Sequence, residues 1–223
     1  PASEQSQQAM DRLSAATERH ADLARVYETL AAAQTDVELG IRLYTMSAAV
    51  SSNERARAVR ELGEQRTAIA ITDLIARLDD PASEVREAAA LALGKIGSPD
   101  AIDALIRKLE DPHSDLAPQI ARALRESPDP RAVDVLVHRL HDPDRETRTE
   151  TARTLGVIGD RRAMRSLLDL LHETEDDKVI SASSEALARL GEIAAIYQVL
   201  PRLQAARNPV LKRTLAVAVG DLL

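Results

Sequence analysis

The chain has 223 residues, 44% of them apolar, with a net charge of −7 and a pI near 5.3. It contains no Cys, Trp or Phe, which excludes a disulfide framework or a thiolate metal site and suits a reducing, cytoplasmic interior. The acidic balance argues against nucleic-acid binding, and no run reaches the ~18 apolar residues of a membrane span.

The first residues, Pro1-Ala2-Ser3-Glu4-Gln5, carry neither an initiator Met nor a signal-peptide pattern and read as a cut-out or processed piece. Leu13, Ala16, His20, Leu23, Tyr27 and Leu30 recur at three and four residues, which predicts a long amphipathic helix. Val37–Val50 predicts a second. Residues 1–53 carry no repeat and are expected to form an N-terminal two-helix cap. A coiled-coil or partner-binding segment is the alternative, limited to under three heptads.

From residue 54 the sequence repeats. Leu78-Asp79-Asp80-Pro81, Leu109-Glu110-Asp111-Pro112, Leu140-His141-Asp142-Pro143 and Leu171-His172-Glu173 recur every 31 residues. A second marker keeps the same step 16 residues earlier: Leu62-Gly63, Leu93-Gly94, Leu124-Arg125 and Leu155-Gly156. Two markers in register over four units are the signature of a solenoid. Each unit reads as two helices. In one unit Val85, Ala88, Ala89, Ala92, Leu93 and Ile96 form an apolar face, Gly94 marks the stop, and Ser98-Pro99 restarts the chain as cap and first turn. Ile102, Leu105, Ile106 and Leu109 face inward from the second helix, which Asp111-Pro112 breaks.

Five pairs follow. First helices are expected near 54–62, 83–93, 115–124, 145–155 and 178–190, and second helices near 67–78, 99–110, 130–141, 161–171 and 193–204. Pro118 falls in a first turn, where proline is tolerated. In the fifth unit Leu190-Gly191 comes 35 residues after Leu155-Gly156, so an acidic bulge is expected at residues 173–177. Residues 210–223 read as one more first helix.

The stretch Asp80-Pro81-Ala82-Ser83-Glu84-Val85-Arg86-Glu87-Ala88 through Leu93-Gly94-Lys95-Ile96-Gly97 resembles the HEAT-like repeat named after phycobilisome lyases. Asp142-Pro143 through Arg148 and Leu155-Gly156-Val157-Ile158-Gly159-Asp160 repeat the pattern. The resemblance implies an all-α fold, a right-handed α-α superhelix: a HEAT-like solenoid of about five helix pairs over residues 54–223 behind the cap.

Fold alone does not assign function. Bilin lyases attach tetrapyrroles, but few aromatic side chains are present here to stack on a pigment. Deoxyhypusine hydroxylase, similar in repeat, binds iron through His-Glu pairs; the matching positions hold Glu87-Ala88, Pro118-Gln119 and Thr149-Glu150. HEAT-like alkylpurine glycosylases use aromatic residues in a basic cleft, which an acidic chain without Trp does not offer. His141 and His172 stand one period apart, with His138 on the same helical face as His141, and read as solvated loop histidines. No cofactor and no metal are expected, and a bilin-lyase-like chaperone or enzyme is the least favoured reading.

The expected function is a non-catalytic protein-interaction scaffold that binds on the concave face, which second helices line in HEAT-type stacks. The 31-residue step aligns Arg77, Lys108 and Arg139, continued by Leu170 and Arg202. Beside them run Thr72, Asp103, Asp134 and Arg165, then Ala76, Arg107, His138 and Asp169. The binding reading takes Arg77, Lys108, Arg139, Asp103, Asp134, Arg107 and His138 as a ladder for an acidic protein segment; the plainer one is a charged surface with pairs such as Asp103–Arg107. Arg86, Arg122 and Arg153 read as outer-helix charges. The alternative is a cytosolic C-terminal regulatory domain of a larger, membrane-attached protein. Residues 55–63, the Asp80-Pro81 repeat and the ending from Asn208 to Leu223 look similar to tails of transporters of the major facilitator type.

Overall fold

The computed structural model describes residues 52–64, 71–111 and 114–222, and among these the regular elements are all helical. The helices are α1 (Ser52–Glu64), α2 (Ile71–Arg77), α3 (Ser83–Ile96), α4 (Pro99–Glu110), α5 (Ala117–Glu126) and α6 (Val133–Arg139). They continue with α7 (Arg145–Ile158), α8 (Met164–Glu173), α9 (Asp177–Arg189), α10 (Ile196–Ala205) and α11 (Pro209–Leu222). Odd-numbered helices are the first helices of the repeats and even-numbered ones the second. The two helices expected before residue 52 lie outside the described residues. No described helix is long and apolar enough to cross a membrane.

Caps explain the boundaries. The Ser98 side chain accepts from the Ala101 amide at the start of α4, Asp144 from Thr147 at the start of α7, and Asp176 from Lys178 and Val179 at the start of α9. Each satisfies a donor that the first helical turn leaves open. Three second helices open with a 3-10 turn, at Pro130–Ala132, Arg161–Ala163 and Ile193–Ala195. There Asp129, Asp160 and Glu192 accept from the amide two residues on, which tightens the entry that the sequence reads as α-helix.

The chain divides into two compact units, Pro1–Ala92 and Leu93–Leu223. Ala56, Val59, Leu74, Leu78, Val85, Ala88 and Ala89 are buried in the first. In the second, α7 packs between α5 and α9, α9 also meets α11, and α4, α6, α8 and α10 pack on α5, α7, α9 and α11 respectively. Within this unit first helices thus form one layer and second helices another. Leu93, Leu124 and Leu155, the repeating marker, are fully buried.

The glycines correct the expected stop. Gly94 lies inside α3; the residue that ends that helix is Gly97, in the left-handed region at φ 64°, as are Gly159 at 74° and Gly191 at 69°. The marker glycines serve close packing instead. A Cβ on Gly94 would stand 2.5 Å from the Ala123 carbonyl oxygen, and one on Gly156 would stand 2.6 Å from the Ala186 Cα. In the first unit, Gly63 stands in the same relation to Ala92, at 2.7 Å.

This contact also corrects the fifth unit. Ala92 and Ala123 each precede a marker leucine, so Ala186 makes Leu187-Ala188 the counterpart of Leu155-Gly156, and Gly191 the counterpart of Gly159. Residues 159 and 191 are 32 positions apart, one more than the period. Only Thr174–Asp176 separate α8 from α9, and Asp176 is the cap of α9, so a turn stands where a bulge is expected.

Candidate interaction surfaces

The cationic column on the second helices is engaged inside the fold. Arg139 is buried; its Nε and Nη2 donate to the Leu109 carbonyl at 2.9 and 2.6 Å, Nη2 also reaches the Asp111 carbonyl, and Nη1 donates to Asp142 at 2.9 Å. The guanidinium therefore closes the C-terminal end of α4, whose last carbonyls have no helical partner. Arg202 does the same for α8, donating to the carbonyls of Thr174 and His172. In the first unit Arg77 donates to Asp80 at 3.4 Å, and Asp80 also accepts from Arg55 and from the Ala82 amide. Burial pushes the Asp80 carboxyl up, but the Ala82 amide and the two arginines outweigh it and hold the group below its usual range. Arg139 thus does not project toward a partner. Helical periodicity gives the phase of a side chain, not its depth.

The Asp-Pro turn is part of the same joint. Arg86 donates to the carbonyls of Asp80 and Pro81, and Arg148 to those of Asp142 and Pro143.

The remaining members of the ladder lie nearer the surface. Arg107, Asp134 and His138 are exposed; Asp103 and Lys108 are half-buried. Asp103 pairs with Arg131 at 2.6 Å, and Asp134 with Arg162 at 2.9 Å, each arginine coming from the repeat that follows. Arg131 and Arg162 also grip the caps Asp129 and Asp160, whose carboxyls they hold below their usual range. Asp134, His138 and Arg139 come together with Leu109, Glu110 and Val135 around a hollow of about 480 Å³ between α4 and α6.

A second polar cluster, on the first-helix layer, lies outside the expected ladder. Glu150 is buried to 4% exposure and receives Arg125 and Arg153 at 2.7 Å each, with Arg122 at 3.8 Å. A hollow of about 580 Å³ opens beside it, bordered by Arg122, Glu146, Thr149, Arg153, Ser181 and Val210 among others. A further one of about 290 Å³ runs between Arg125, Arg153, Val157, Glu185, Ala186 and Arg189. The signal in the sequence is Arg125 standing in a glycine column, with Arg122 and Arg153 one period apart. Among the described residues, no group of three or more His, Cys, Asp or Glu side chains could hold a metal ion.

Repeats stacked through a small-residue seam, with arginines closing the preceding unit, agree with what the family comparison finds. The pattern described as HEAT repeats matches residues 43–117 and 103–188. The chain belongs to the HEAT-repeat family. Solved structures with this fold include an engineered protein, 25% identical, covering 85% of this chain and 97% of its own at a TM-score of 0.54. The complex of CpcE and CpcF of phycocyanin lyase from Nostoc sp. is 18% identical over 90% of this chain and 88% of its own, TM-score 0.51. A designed armadillo repeat protein in complex with the peptide (KR)4 is 20% identical over 82% of this chain and 98% of its own, TM-score 0.53. At such identities the last two likenesses show the fold alone. No curated protein matches the chain significantly.

Proposed function

We propose that this HEAT-repeat chain is a non-catalytic scaffold that holds a partner protein's segment on its second-helix face, the side expected to be concave. The observation that carries this reading is the hollow between α4 and α6. Leu109 and Val135 give it apolar walls, while Glu110, Asp134 and His138 supply polar groups beside them. Such a mixture suits one apolar anchor flanked by hydrogen bonds, since apolar walls with a few placed polar groups are the usual make-up of a binding pocket. The armadillo design bound to (KR)4 is a protein of like fold whose ligand is a peptide.

The acidic character expected of the partner fits this face poorly, because the column that motivated it is occupied. Asp103 and Asp129 share Arg131, and Asp134 and Asp160 share Arg162, which leaves carboxylates in excess there.

The test is selection of binding peptides from a displayed random library, followed by affinity measurement against Val135→Arg. A charged side chain in the hollow should weaken the selected peptides at least about tenfold. The helical signal and melting temperature should stay near wild type, since Val135 is only partly buried. Binders indifferent to this substitution would refute the assignment of the second-helix face.

A further inference from the structure

We infer that the first-helix layer carries a separate site for an acidic peptide segment, built on the arginines gathered around Glu150. It rests on the protein-binding reading above but not on the hollow between α4 and α6.

The argument begins with an imbalance of hydrogen-bond donors. Glu150 is a single buried carboxylate, yet three guanidiniums lie within 4.0 Å of it. Arg125 and Arg153 each donate through Nη1 alone. Arg122 donates no hydrogen bond to the described residues; its contacts are ion pairs at 3.8 Å to Glu150 and 4.0 Å to Glu146. Arg189, beside Arg125 and Arg153 in the adjoining hollow, donates none either. A guanidinium carries five N–H donors in a planar fork that fits a carboxylate through two of them. Most of that capacity here is unfilled by the described residues. Burying Glu150 fixes Arg125 and Arg153 in place before any ligand arrives, which lowers the ordering cost of binding.

The surroundings specify more than charge. Val157 and Ala186 line the smaller hollow and Val210, 74% exposed, borders the larger. Both hollows share Arg153, so one segment can cross them. The ligand chemistry is therefore a peptide with at least two Asp or Glu side chains and an apolar residue beside them. Six cationic side chains line the two hollows against four carboxylates, and this local surplus attracts an anionic segment despite the negative charge of the whole chain.

The probe is a fluorescein-labelled Glu-rich peptide carrying one Leu, compared by anisotropy with Lys-rich and Gly/Ser peptides. The variants are Arg122→Gln with Arg189→Gln, two side chains that make no hydrogen bond to the described residues, and Val135→Arg on the other layer. The inference expects the Glu-rich peptide alone to bind, with affinity that falls as salt rises. The double variant should lose at least about tenfold in affinity at an unchanged melting temperature, and Val135→Arg should bind like wild type. Equal binding by the double variant, binding of the Lys-rich peptide, or no binding at millimolar peptide would each overturn it. Loss with Val135→Arg alone would place the acidic segment on the second-helix face and equally refute the first-helix site.

Discussion

Arg139 and Arg107 show why charge alone does not define a recognition surface. Both sit on second helices, yet Arg107 is exposed while Arg139 closes a helix end through backbone carbonyls. Arg139→Ala would leave the carbonyls of Leu109 and Asp111 and the carboxylate of Asp142 without that donor. Losing one partner of a buried ionic group costs about 3–5 kcal/mol, so the chemical denaturation midpoint should fall accordingly. Arg107→Ala should stay within about 0.5 kcal/mol of wild type. Similar small effects from both would show that Arg139 is not a joint between repeats. In sequence the two fall in different repeat columns, and Arg139 shares with Arg77 an Asp three residues on.

At the scale of the helix, the two glycine classes make opposite demands. In α3, Ala at position 94 would set a Cβ against the backbone of Ala123. Overpacking of this kind costs about 1–3 kcal/mol. At Gly220 in α11 no described residue stands within 4 Å of where a Cβ would be, so Gly220→Ala gains helix propensity, worth up to about 1 kcal/mol. Thermal melts should therefore shift down for Gly94→Ala and up for Gly220→Ala; a rise for both would mean that the first helices do not approach closely at that seam. The period, the five pairs, the Ser98 cap and the place of Pro118 were legible, because each depends on residues close in sequence. The packing glycines were not. In sequence Gly94 and Gly97 look alike, and only the neighbouring helix separates them. The same confusion shifts the fifth unit, because Gly191, a terminal glycine, falls into line with marker glycines whose role is packing.

For the molecule as a whole, several carboxylates share one electrostatic habit. Burial raises the Asp144 carboxyl, but the amide and hydroxyl of Thr147 outweigh it; Arg131 holds Asp129 down, and the Ala82 amide and two arginines hold Asp80 down. Folded values below the unfolded ones mean stability present above the unfolded value, about 3.9 for Asp, and lost as pH falls through the folded ones. Melting temperature should thus be nearly flat from neutral pH to about 5 and drop below about 4. Calorimetry at stepped pH checks this, and Asp144→Asn should drop less on acidification than wild type. A steep loss already at pH 6 would refute the assignment to these carboxylates.

The seam between first helices has a consequence for assembly fidelity. Near-identical units in one chain invite pairing with the wrong neighbour while they fold. Here the junctions do not share one key. Gly94 meets Ala123 and Gly156 meets Ala186, but at the junction between α5 and α7 the glycine is replaced by Arg125, which seeks Glu150. An α5 face docked on α9 in place of α7 would drive the Arg125 guanidinium against the Ala186 backbone and leave it without its carboxylate. The irregular position thus marks one junction as unlike the Gly–Ala ones, so that a misplaced α5 loses both its fit and its ion pair.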